Sequence, residues 1–124
     1  MALKDFNSAD KLFELTYDRT HQYHSLPDVI EGVKSQWAET LLNMGVAYER
    51  AGQTEASENA YFKCLRIEPG TARAHYNIAV LYWNKDWEKA VDHLREALKI
   101  DPNNPDARSF YAKASYALEM SRKK

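Results

Sequence analysis

The stretch LLNMGVAYERAGQTEASENAYFKCLRIEPG, residues 41–70, is followed within a few residues by HYNIAVLYWNKDWEKAVDHLREALKIDP, residues 75–102, and the two carry the same residue classes in the same order. Gly45 answers to Ala79 and Tyr48 to Tyr82 at an offset of 34. Tyr61 then answers to Leu94, Cys64 to Ala97 and Pro69 to Pro102 at an offset of 33, one residue having been lost after Tyr82. A period in this range, with two helices per unit, restricts the chain to a stacked helical array. One such hairpin leaves an apolar face that only a neighbour can cover, so the pattern also demands caps at both ends.

The rest of the chain is read against that array. No segment alternates apolar and polar residues over the length of a strand; apolar residues recur at three and four instead, the helical period. Six helices follow. The first is expected over residues 8–24, with Ser8 as its N-cap and an inner stripe of Ala9, Leu12, Phe13, Thr16 and Tyr17. Pro27 breaks it and is tolerated in the first turn of the next. Ile30, Val33, Trp37, Leu41, Met44 and Tyr48 continue one seam, which predicts a single long second helix over 28–51 with Gly52 after its end. Gly32 and Gly45 fall inside it, each at a cost of about 1 kcal/mol relative to Ala, and both are expected where a neighbouring helix approaches closely. Four further helices are expected over 54–67, 71–84, 86–100 and 106–121. Connections this short make successive helices antiparallel neighbours.

Composition excludes several functions. With 124 residues, 44% of them apolar, and a formal net charge of −1, the chain can bury a core and lacks the basic surplus of a nucleic-acid or anionic-membrane binder. It holds one cysteine, Cys64, so neither an intrachain disulfide nor a CxxC metal knuckle is available. The first residues are acidic enough, and apolar runs short enough, to exclude a signal peptide and a spanning helix; the expected location is cytoplasmic rather than periplasmic. No phosphate-binding loop, nucleophile elbow or HExxH pattern occurs, so the chain is read as non-catalytic, with no cofactor. His21, His24 and Asp28 are spaced for a metal only if the helix continued through Pro27, and no second cluster supports them. His75 is expected as a packed, hydrogen-bonded histidine, His93 as a solvated one, and Cys64 as an inert thiol in a small-residue position. Trp37, Tyr48, Tyr61 and Tyr82 read as core packing.

The duplicated unit resembles the tetratricopeptide repeat (TPR) family. The first copy fills that family's pattern with Leu41, Met44-Gly45, Tyr48, Ser57, Tyr61, Cys64 and Pro69; the second uses His75, Ile78-Ala79, Tyr82, Ala90, Leu94, Ala97 and Pro102. Departures are His75, where Trp or Leu is usual, and the shortened turn NKDWEKA, which lacks the usual glycine before Asp86. The resemblance implies an all-α, right-handed helical solenoid with repeats at 38–71 and 72–104. Residues 1–37 then form an N-terminal helical cap, and residues 105–124 a C-terminal capping helix, the first half of a third repeat, with its tail.

It also implies where a ligand would lie. Carrying the family's groove-facing places onto this chain gives Asn43, Val46, Glu49 and Arg50 from the first repeat. Arg73, Tyr76, Asn77, Val80 and Trp83 follow from the second, and Ser109, Phe110, Lys113 and Tyr116 from the last helix. Tyr76, Val80 and Trp83 are expected on one helix face and surplus to the repeat's own packing. A protein or peptide segment is the implied partner, with no nucleic acid and no membrane insertion. Some members hold an acidic chaperone C-terminus in a two-carboxylate clamp; Asn43 and Arg73 match two of its places, but Asn77 stands where an arginine belongs. Self-assembly into a homo-oligomer is the alternative function, and a small metal-dependent enzyme on His21 and His24 a distant third.

Overall fold

The computed structural model describes the backbone of residues 2–22 and 27–123 and the side chains of residues 8–18 and 29–123. Its helices are α1 (Ala2–Gln22), α2 (Pro27–Arg50), α3 (Thr54–Ile67), α4 (Ala72–Tyr82), α5 (Trp87–Ile100) and α6 (Pro105–Arg122), with no strand among the described residues. None of them is long and apolar enough to cross a membrane. The helices group into two compact units that part between Pro69 and Gly70. The first holds α1 to α3, with α2 packed against both others; the second holds α4 to α6, with α5 in the middle.

Helix α2 is unbroken, as its seam of apolar residues predicts. Trp37, Ala38, Leu41, Leu42 and Met44 are buried along it, and it closes at Gly52, whose φ of 77° is the left-handed conformation that suits glycine. Helix α1 departs from expectation. It begins at Ala2, so Ser8 lies inside it rather than at its cap. It is fastened to the unit by Asp10, whose carboxylate accepts from Trp37 Nε1 and from Lys63 Nζ at 2.8 Å. One acid thereby ties α1 to α2 and α3, and the Lys63 ammonium also lies 5.6 Å from the Trp37 ring centroid.

The two glycines inside α2 have different meanings. Gly45 faces Tyr61 of α3, and a methyl group there would come within 2.8 Å of Tyr61 Cζ and nearer still to the adjoining ring atoms. That ring is fully buried. The exposed backbone at Gly45 is used a second time, because its carbonyl accepts a 2.7 Å hydrogen bond from the buried Ser57 hydroxyl. Among the described residues Gly32 has no atom beyond its own helix backbone within 4 Å of where a Cβ would stand, so they show no close approach there, and the glycine weakens the helix.

In the second unit the shortened turn changes the end of a helix. Helix α4 stops at Tyr82, two residues before the expected end. Trp83 is already extended, with ψ at 127°, and Asn84 takes the left-handed conformation at φ 66°. Asparagine is among the side chains that tolerate this region, so Asn84 fills the role of the missing glycine. Both Lys85 and Asp86 return their amides to the Tyr82 carbonyl at 2.9 Å. Asp86 then caps α5, its carboxylate accepting from the Lys89 amide. The core that results is Ala79, Ala90, Val91, Leu94 and Ala114: an alanine on each of the three helices lets them approach around Val91 and Leu94.

The glycine contrast is measurable. Gly45→Ala should lower stability by about 1–3 kcal/mol, the usual cost of overpacking, because the Tyr61 ring has nowhere to retreat. Gly32→Ala should raise it by up to about 1 kcal/mol through helix propensity alone. Urea denaturation of both variants checks the pair, and equal shifts of one sign would contradict the packing described.

Candidate functional site

The second unit contains a cleft of about 280 Å³ lined by Ala72, Arg73, Tyr76 and Asn77 of α4, Ala97 of α5, and Asn104, Asp106 and Ala107 at the start of α6. It forms because α4 and α6 begin at the same end of the unit, across the end of α5. Alanines at 72, 97 and 107 make its floor. Asn104 is the N-cap of α6; its Oδ1 accepts from the amides of Asp106 at 3.0 Å and Ala107 at 3.1 Å. That leaves its amide nitrogen as the available donor. Burial, with the Asp106 carboxylate adding to it, raises the pKa of the Tyr76 hydroxyl above the ordinary phenol value, so Tyr76 stays protonated and able to donate. The cleft therefore offers a guanidinium, two carboxamides, a phenol and one carboxylate around an apolar floor.

Of the residues expected at a groove, the structure brings Arg73, Tyr76 and Asn77 together here. Asn104 and Asp106 were not among the expected residues; their signal was the capping sequence NNPD, readable as a helix start but not as a cleft wall. Trp83, Phe110 and Lys113 fall in a neighbouring cluster. The Phe110 ring stands edge-on to Tyr76 at 5.7 Å and to Trp83 at 5.2 Å. Trp83 also meets Trp87 at 4.8 Å, and the Lys113 ammonium lies 5.6 Å from the Phe110 centroid.

This corrects one expectation. Tyr76 and Trp83 do meet one ring, Phe110, although Trp83 lies just past the end of α4. They are not surplus to packing: Tyr76, Trp83, Trp87 and Phe110 all lie half-buried against the unit's core. Val80 and Tyr116 do reach the surface, Tyr116 with 64% of its area exposed. Ser109 is exposed on α6.

The remaining expected residues belong to the first unit. Asn43 and Arg50 are exposed, Val46 and Glu49 half-buried, and their spacing sets them on one side of α2. Glu49 is the unusual member. Its Oε1 is buried with no hydrogen-bond partner among the described residues. Desolvation raises its pKa above the ordinary carboxyl value, partly offset by the neighbouring Arg50.

The histidines divide. His75 is half-buried and hydrogen-bonded, as expected. His93 is not solvated: its Nδ1 meets His75 Nδ1 at 3.1 Å, and its ring stacks on Tyr82 at 6.4 Å. Cys64 is buried, and its thiol is in no disulfide. The side chains of His21, His24 and Asp28 lie outside the described residues. Among the described residues no group of three or more His, Cys, Asp or Glu is placed to hold a metal ion.

Two helical hairpins, successive in the chain and each with small residues at its crossing, define an all-α helical-repeat protein. Tetratricopeptide repeat models match residues 38–71 and 72–104, together more than half of the chain, and the chain belongs to the tetratricopeptide repeat family. It is 28% identical over 86 residues to human "Tetratricopeptide repeat protein 6", covering 68% of this chain and 16% of that protein. It is 35% identical over 68 residues to the anaphase-promoting complex subunit cut9 of Schizosaccharomyces pombe, covering 54% of this chain and 10% of that one. The chain thus spans a small part of either relative. Among solved structures, the C-terminal TPR-containing domain of a Plasmodium falciparum FK506-binding protein superposes with a TM-score of 0.66 at 22% identity, over 98% of this chain and 82% of that one. The first TPR of Spaghetti, bound to an HSP90 peptide, gives 0.62 at 15% identity, over 89% and 93%.

Glu49 yields a pH-dependent prediction. A carboxyl whose pKa is raised on folding favours the folded state when protonated and opposes it when ionised. Glu49→Gln should therefore raise the melting temperature at pH 7. The gain should shrink as pH falls through the raised native value and vanish once the unfolded carboxyl is protonated too, below its ordinary value of 4.5. A gain of the same size at pH 7 and pH 4 would show that charge burial is not its origin.

Proposed function

We propose that the chain is a non-catalytic binding module whose α4–α6 cleft receives an extended segment of a partner polypeptide. The cleft itself carries this reading. An extended segment presents backbone amides and carbonyls that carboxamides can pair with, and Asn77 and Asn104 supply two. Arg73 suits an acidic group on the segment, and Asp106 a donor or a basic one. Tyr76 offers a ring edge and a hydroxyl. Binding energy in such sites concentrates on a few aromatic and arginine anchors. The family supports the same reading in outline, as a scaffold for protein interactions, and a structural neighbour holds an HSP90 peptide. The α2 residues Asn43, Val46, Glu49 and Arg50 are proposed as a second binding face, in the first unit.

The test selects binders from a random peptide library on the wild-type protein and compares their affinity for Arg73→Glu/Asn77→Ala. Arg73 is exposed and Asn77 half-buried, and neither belongs to the core, so melting should change little while affinity falls at least roughly tenfold. Undiminished binding by a folded double variant would remove the cleft from consideration.

Self-assembly has an observation of its own. Leu12 and Leu15 on α1 are about two-thirds exposed, at 64% and 65%, and Tyr116 on α6 is exposed to the same degree. Under this reading, sedimentation at micromolar concentration should show a dimer or larger species that Leu12→Ser/Leu15→Ser abolishes. A monomer at high micromolar concentration removes it.

A further inference from the structure

The first unit has a cleft of its own, of about 300 Å³, lined by Tyr17 of α1, Lys34 and Trp37 of α2, and Arg66 and Ile67 of α3. Helix α2 packs against both α1 and α3, and the later part of α1 and the last turn of α3 come beside the same stretch of it. The buried Trp37 is the inner wall. Its ring is fixed before any ligand arrives. The indole Nε1 donates to Asp10, the Tyr17 ring stands 5.9 Å away between centroids, and Lys63 is drawn to the same Asp10 carboxylate at 2.8 Å.

Two cations stand on this aromatic wall. Lys34 is half-buried and Arg66 exposed. The ion pairs among the described residues join Lys63 to Asp10, Arg95 to Asp92, Lys99 to Glu96 and Lys123 to Glu119, and neither Lys34 nor Arg66 takes part in one. The acids near the cleft are engaged by other groups. Asp10 holds Trp37 and Lys63. Glu68, next to Ile67, accepts from Ser35 Oγ at 2.9 Å and is not part of the lining. Arg66 lies in the last turn of α3, where the helix end offsets about half a charge. Lys34 lies well inside α2, beyond the reach of either helix end, so its charge stands whole.

We propose that this cleft binds a flat aromatic group carrying an anionic head, an aryl phosphate or an aryl carboxylate. The ring lies among Tyr17, Trp37 and Ile67. The head meets Lys34 and Arg66, and a guanidinium can take two oxygens of one head at once. Both halves of the ligand are required. A bare inorganic anion leaves the apolar wall wet. An uncharged ring strips water from the half-buried Lys34 ammonium and puts nothing in its place. A nucleobase fits less well than a plain ring, because the lining has no carboxamide or carboxylate to pair with its polar edge, and unpaired polar atoms cost binding. The site lies wholly in the first unit, so it stands or falls independently of the α4–α6 cleft.

Nuclear magnetic resonance of the full chain, observing the tryptophan indole N–H groups, tests the proposal with phenyl phosphate, inorganic phosphate and phenol. Phenyl phosphate should shift the Trp37 signal and leave Trp83 and Trp87 in place. It should bind at least roughly tenfold more tightly than either phosphate or phenol. Rising salt should weaken it, and Lys34→Gln/Arg66→Gln should weaken it by about tenfold or more. If that double variant does not fold, Arg66→Gln, a change at an exposed position, carries the comparison. A short phosphotyrosine peptide separates the two sources of such a group. Tighter binding of the peptide makes the ligand a modified side chain of a partner, and tighter binding of phenyl phosphate makes it a free small molecule; either outcome supports the site. An unmoved Trp37 signal, phosphate or phenol binding as tightly as phenyl phosphate, or undiminished binding by a folded variant would overturn it.

Discussion

A missing side chain, at Gly45, fixes the first hairpin. The Tyr61 ring occupies the space that a methyl group would need, and the Ser57 hydroxyl bonds the carbonyl that the bare backbone leaves open. Fully burying a ring of this size contributes up to about 3 kcal/mol, and the buried hydrogen bond adds about 1 kcal/mol. Both require close approach of α2 and α3, and the approach exists only while residue 45 has no side chain. The helix-propensity cost of glycine is smaller than what the contact returns. At Gly32, where no such contact forms, that cost stands alone.

The second unit reaches the same end by different means. Ala79 replaces glycine, and the facing residues are Ala90 and Leu94 rather than serine and tyrosine, so the helices approach across small side chains. One lost residue in the turn then has consequences beyond the turn. It ends α4 at Tyr82, puts Asn84 in the left-handed conformation, and frees Trp83 from the helix. Trp83 can therefore fold back onto Trp87 and Phe110. Tyr76, within α4, meets the same Phe110 ring, so both aromatics join the unit's packing.

The asymmetry between the units extends to their polar fastenings. In the first, Asp10 holds α1 in place with two hydrogen bonds, from Trp37 and Lys63, a polar fastening on an otherwise apolar seam. In the second, the hairpin is fastened by a histidine pair at a place where the repeat ordinarily carries a large apolar residue.

The sequence by itself determined the class of fold. Period, small residues at the crossings and punctuating prolines are local and repeated, so the six helices, the unbroken α2 and the buried Cys64, Ser57 and Tyr61 were all legible in it. It also marked Arg73, Tyr76 and Asn77, because repeat position predicts which side of a helix a residue takes. What it could not reveal depended on partners distant in the chain. Asn104 and Asp106 became cleft walls only because α4 and α6 start at the same end of their unit. His93 looked solvated because its sequence neighbours are charged, yet two residues of α4, His75 and Tyr82, pack against it. Gly45 is marked in the sequence by its repeat counterpart Ala79, whereas Gly32 lies outside the repeat, and both were expected at a close approach. Only tertiary packing, which sets Tyr61 against Gly45 and no neighbouring helix among the described residues against Gly32, separated the two.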